Sequence, residues 1–235
     1  MESKKLIVTA SPHITNHTST RGLMLNVCIA LLPALVASTL IFGARALLVT
    51  GVTVAACVGF EALYCVVMKK PVPVGDFSAV VTGMILAFNL PATIPLWIAI
   101  IGAFVAIVVA KQLFGGLGFN FANPALLGRI VLFIGFAGRM TAYAFPQTDI
   151  DALASATPLV AGNSMAGKDM LLQLLLGAHG GVLGETCAVA LILGGIYLIA
   201  TKTISAAIPL SYIGTVAVLS LVLGQDVVLQ LFSGG

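Results

Sequence analysis

The sequence predicts an all-α protein that crosses a membrane several times. Of its 235 residues, 60% are hydrophobic and 8% charged, against roughly 25% charged in ordinary soluble domains. Apolar runs near 23–43, 46–68, 92–110, 183–200 and 205–224 approach the roughly 20 residues that a spanning helix needs. The runs are continuous, without the polar and apolar alternation of a membrane strand, so a helical bundle is expected rather than a barrel.

Each element follows from local composition. Residues 1–22 are polar and carry Lys4, Lys5 and Arg21, without the apolar core and small-residue cleavage site of a secretory signal. The first span is therefore expected to be retained. Runs 23–43 and 46–68 follow directly. Residues 77–90 give about 14 apolar positions before Pro91, which suits a re-entrant or tilted element better than a simple span. Run 92–110 comes next, and 121–137 is interrupted by Asn123, Pro124 and Arg129. Residues 138–181 form the one long polar interruption, and two further runs complete the chain.

Sidedness follows from the basic residues. With the N-terminus in the cytoplasm, Lys4, Lys5, Arg21, Lys69, Lys70, Lys111 and Lys202 fall inside, while Arg45, Arg139 and Lys168 fall outside. The 138–181 segment then faces outward, provided 77–90 and 121–137 each cross fully. A net charge of +3, dispersed at span ends, gives no reason to expect a nucleic-acid partner; the expected surroundings are membrane lipid. Cys28, Cys57, Cys65 and Cys187 lie in apolar runs without a Cys-x-x-Cys pair and read as buried small hydrophobes. His13, His17 and His179 lack metal-site spacing, so no metal is expected.

Polar residues inside apolar runs are the candidates for function. Glu61 lies eight residues before Lys69, roughly 12 Å along a helix, and Glu185 sits near the start of its span. Either carboxylate could serve ion or proton passage, or be hydrogen-bonded to a neighbouring helix. Arg129 in an apolar helix, at a cost on the order of 3 kcal/mol, calls for an anionic partner such as a flavin phosphate, a structural ion pair, or snorkelling to the interface. Asn120 and Asn123 could donate to a flavin ring, or Asn123-Pro124 could simply cap a helix.

Several stretches together resemble the family that holds the D component of the Rnf complex and the related B component of the sodium-pumping NADH:quinone reductase. They are Ser11-Pro12-His13, Lys69-Lys70-Pro71, Gly75 to Gly83, Ala87 to Pro91, Gly115-Gly116-Leu117-Gly118, Asn123-Pro124-Ala125, Ser155 to Leu159 and Gly184-Glu185-Thr186. The short lead before the first span favours the Rnf-like member. The resemblance implies two inverted repeats of about five spans. Residues 23–137 would form the first, 138–181 an external loop, and 182–235 the start of the second. The rest of that repeat, with the counterpart of 77–91, would lie beyond Gly235.

The resemblance also implies a cofactor. Asp151-x-x-x-x-Ala-Thr157 resembles the signature that a flavin transferase reads when it joins FMN through its phosphate to a threonine. The attachment needs an accessible hydroxyl in an extended segment, and Pro158 biases Thr157 away from helical geometry; Ser155 belongs to the same motif by the resemblance, and all these residues also suit a plain linker turn. One departure is Ala154, where the family commonly has Ser or Thr. The implied function is electron transfer within a bacterial inner-membrane ferredoxin:NAD oxidoreductase that pumps Na⁺ or H⁺. Its partners would be the A, B, C, E and G components of the Rnf complex, and a second, non-covalent flavin such as riboflavin is compatible with it. A small-solute channel is the alternative that a repeat architecture alone would permit.

Overall fold

In the computed structural model, residues 19–71, 73–143, 180–185 and 187–233 are described, and among them the structure is helical with no strand. Two helices are long and apolar enough to span a membrane: α1 (Thr20–Phe42) and α2 (Ala44–Val67), with mean hydropathies of 2.2 and 1.9. Ser19 caps α1 by accepting from the Gly22 N–H at 3.1 Å. Gly43, at φ 71°, makes the tight reversal that sets α2 antiparallel to α1, a conformation that costs glycine least.

The next crossing is built in two parts. Asp76 Oδ1 accepts from the Ser78 N–H at 2.8 Å and starts α3 (Ser78–Phe88), whose 11 residues cover only about 16 Å. The chain then continues without regular structure through Pro91 and Pro95, neither of which can donate to a helical ladder. It arrives at Ile94, whose carbonyl accepts from Arg45 Nη2 at 3.0 Å, beside the start of α2. Residues 77–90, expected as a re-entrant or tilted element, are therefore not re-entrant: a short helix and an irregular leg together reach the opposite end of the bundle.

Helix α4 (Leu96–Phe104) returns and runs on as a π-helical stretch, Val105–Gln112. Asn123 Oδ1 accepts from the Ala125 N–H and Pro124 occupies the first turn of α5 (Pro124–Gly135). Close packing of α5 on α4 depends on Gly128, where an added Cβ would come within 2.9 Å of the Gly102 carbonyl oxygen. A short α6 (Ala137–Met140) follows at the Arg45 end, where Thr93 Oγ1 donates to the Ala142 carbonyl at 2.6 Å. Five passages thus separate Ser19 from Ala142, which lie at opposite ends of the bundle.

Segment 180–185 docks on the end of α3: the Leu183 and Gly184 N–H groups donate to the carbonyls of Leu90 and Phe88 at 3.0 and 2.9 Å. From there α7 (Ala188–Ala200) climbs along α1, so close at Gly194 that a Cβ would collide with the Ala30 carbonyl. It ends where Asn26 Nδ2 donates to Thr203 Oγ1. Helices α8 (Ala207–Val222) and α9 (Val227–Ser233) follow. On α8, Ile208, Leu210, Ile213, Leu221 and Val222 are exposed on several sides of the helix, an apolar surface suited to lipid rather than water.

Candidate functional site

The polar centre of the bundle lies toward the Ser19 end, where α2, α3 and the π-helical stretch converge. Glu61 on α2 is fully buried and Lys111 is 2% exposed. Lys111 Nζ donates to Glu61 Oε1 at 2.6 Å and to Ser78 Oγ at 2.6 Å, while Gln112 Nε2 donates to the same Glu61 oxygen at 2.8 Å. Ser78 Oγ in turn donates to Asp76 Oδ1 at 2.6 Å. A continuous chain of hydrogen bonds therefore runs from half-buried Asp76 to a carboxylate in the core.

The backbone explains how one helix delivers both Lys111 and Gln112 to Glu61. The wider π-helical turn rotates successive residues less far about the axis than α-helix does, and such insertions recur at functional sites. Glu61 sits between Cys57 and Cys65 on the buried stripe of α2, at the four-residue spacing of one helix face. The Lys111 ammonium meets the carboxylate, which offsets the desolvation of both charges. Even so, Glu61 Oε2 has no hydrogen-bond partner among the described residues.

Beside this chain of hydrogen bonds is a cavity of about 400 Å³, within the range of small-molecule and cofactor sites. Its polar lining comes from Ser78, Thr82, Lys111, Asn120 and Asn123, and its apolar lining includes Met24, Ile85 and Leu117. Asn120 Oδ1 is buried there without a partner among the described residues. The glycine-rich turn after the π-helical stretch, with Gly115, Gly116 and Gly118 all at positive φ, folds the chain back so that Asn120 reaches the cavity wall.

The sequence candidates separate into three groups. Asn120 and Asn123 share the cavity, Asn123 also capping α5. Glu61 lies behind its wall through Lys111. Arg129 is elsewhere: its Nη1 donates to Asn89 Oδ1 at 2.8 Å, and Asn89 Nδ2 donates to the Ile85 carbonyl, so the guanidinium fastens the end of α3. Glu185 is exposed at the 180–185 segment, next to α3's other end from Ser78. Asp151, Ser155, Thr157 and Pro158 lie outside the described residues.

Lys111 corrects the charge reading. Counted in the sequence as a loop cation, it is buried and ion-paired, because Glu61 supplies a counter-charge from another helix. Its removal leaves six of nine loop-assigned basic residues on the N-terminal side (7 − 1 = 6; 10 − 1 = 9). The asymmetry keeps its direction. Ser78, Asp76 and Gln112 do not stand out as polar-site residues in the sequence; the usable signal is that a buried Glu61 needs a cation, and Lys111-Gln112 ends an apolar run.

A model of the NQR2, RnfD, RnfE family matches residues 7–235. The chain is 43% identical over 238 residues to the D component of the Na(+)-translocating ferredoxin:NAD(+) oxidoreductase complex of Acetobacterium woodii, covering 100% of this chain and 75% of that protein. It is 37% identical over 246 residues to the D component of the proton-translocating ferredoxin:NAD(+) oxidoreductase complex of Clostridium ljungdahlii, covering 97% and 74%. With the D component of the ion-translocating oxidoreductase complex of Alcanivorax borkumensis the identity is 34% over 261 residues, covering 98% and 76%.

Proposed function

Because the chain belongs to the NQR2, RnfD, RnfE family, we propose that it is the membrane-embedded D-type component of an ion-translocating ferredoxin:NAD(+) oxidoreductase complex, bearing FMN covalently on Thr157. The observation that carries the reading is similarity along the whole chain to proteins so named, joined to the Asp151-to-Pro158 attachment motif. In the attachment, Thr157 Oγ forms the P–O bond, its proton is lost, and the leaving group of the activated flavin donor departs. A bound flavin supplies one- and two-electron redox chemistry; the protein supplies position and electrostatics.

The cavity offers a place for a second, non-covalent flavin such as riboflavin. Its volume admits a tricyclic ring, its apolar wall suits the ring faces, and Asn120 Oδ1 lacks the donor that a ring N–H would provide. The other Rnf components would deliver and remove electrons. The bundle has its polar, ion-paired centre and cavity on the Ser19 side, and the chain leaves the first five passages on the Ala142 side. With the N-terminus cytoplasmic, Thr157 would face the periplasm or cell exterior.

The test is in-gel flavin fluorescence. Protein made with a flavin transferase keeps its fluorescence through denaturation, and Thr157→Val loses it while accumulating normally. Fluorescence that survives Thr157→Val would remove the attachment from this residue.

A further inference from the structure

The buried ammonium of Lys111 has donors to spare. Of the three N–H groups of a lysine, one meets Glu61 Oε1 and one Ser78 Oγ. The third has no acceptor among the described residues, and Lys111 lines the cavity. On the same lining, Asn120 Oδ1 is buried and lacks a donor among the described residues. Together these open hydrogen-bonding positions suit a ligand that carries both a carbonyl oxygen, to accept from Lys111, and an N–H, to donate to Asn120.

We propose that Lys111 is the positioning and potential-setting residue of this cavity, held in place by Glu61 and Ser78 and donating to the imide edge of a flavin ring whose N–H is taken by Asn120. This rests on the reading that the cavity takes a non-covalent flavin. An imide places a carbonyl beside an N–H, as the flavin pyrimidine ring does. The lysine also supplies charge. Reduction adds electron density to the ring, and a neighbouring cation in a poorly solvated site favours that form over the oxidised one. Glu61 and Ser78 fix the ammonium in one position, so it need not reorganise when the electron arrives.

The geometry separates two roles. Lys111 acts through charge and should discriminate between redox states; Asn120 acts through a neutral hydrogen bond and should not. Glu61 is the counter-charge that makes a buried lysine tolerable, so the informative change neutralises both partners together, leaving no orphaned charge.

The experiment uses the full chain, purified in detergent after synthesis with a flavin transferase and supplied with riboflavin. Acid-extractable flavin is measured and its midpoint determined by spectroelectrochemical titration, with covalent fluorescence as the control for folding. The paired variant Glu61→Gln with Lys111→Gln is expected to bind reduced riboflavin roughly tenfold more weakly relative to oxidised, a downward shift of about 30 mV for a two-electron couple. Lys111→Arg should keep the wild-type midpoint, and Asn120→Ala should weaken both redox states alike. Bound riboflavin with an unchanged midpoint in the paired variant overturns the role of Lys111 and leaves the cavity reading standing. Failure of the wild-type chain to bind extractable riboflavin overturns both.

Discussion

Lys111→Met should be among the most destabilising single changes in this chain, and the structure gives its size. The ammonium lies 2.6 Å from Glu61 Oε1, and neither residue is more than 2% exposed. Removing the cation leaves a buried carboxylate with Gln112 as its remaining donor. Breaking one side of such a pair costs about 3–5 kcal/mol. At about 2–4 °C per kcal/mol for a chain of this size, the midpoint of thermal unfolding should fall by roughly 6–20 °C. Glu61→Gln combined with Lys111→Met should recover most of the loss, because the new amide keeps the Gln112 hydrogen bond without a charge to desolvate. The assay is thermal unfolding in detergent followed by fluorescence of Trp97, the single tryptophan. It packs edge-on against Phe136 at the far end of the bundle, so it reports unfolding of the whole bundle. A single variant no less stable than the double would refute a buried ion pair at this site.

Three other outcomes are expected. Gly194→Ala places a Cβ against the Ala30 carbonyl and should cost about 1–3 kcal/mol by forcing α7 away from α1; an unchanged unfolding midpoint would deny that close crossing. Arg129→Leu removes a charged hydrogen bond to Asn89 and should cost about 1.5–3 kcal/mol while leaving covalent fluorescence intact; a loss of fluorescence would tie Arg129 to the attachment instead. In a background without the four native cysteines, Thr141→Cys should react in intact cells with a membrane-impermeant maleimide and Lys70→Cys should not. Labelling only at position 70 would invert the bundle.

Much of the fold was legible because composition and span length are local properties. Asn123-Pro124, read from the sequence as a possible cap, begins α5. The passage from Ser78 to Ile94 was less so: Pro91 and Pro95 end the helical pattern, and the irregular leg between them is held by Arg45 from a distant helix. The polar site was legible in pieces. Glu61, Asn120 and Asn123 stand out as polar groups among apolar neighbours, yet what they do depends on separations of 50 residues between Glu61 and Lys111 and 40 between Asn89 and Arg129. Those pairings come from helix packing, particularly the π-helical turn that presents Lys111 and Gln112 together, and no local pattern encodes them. Thr157 rests on a motif of adjacent residues, which is why a sequence could nominate it without any three-dimensional information.

The most direct measurement on the central claim is the mass of the proteolytic peptide containing Thr157, from protein made with a flavin transferase. The peptide should be heavier by one FMN less one water, with the added mass located by fragmentation on Thr157. An unmodified peptide, or FMN on any other residue, would contradict the account.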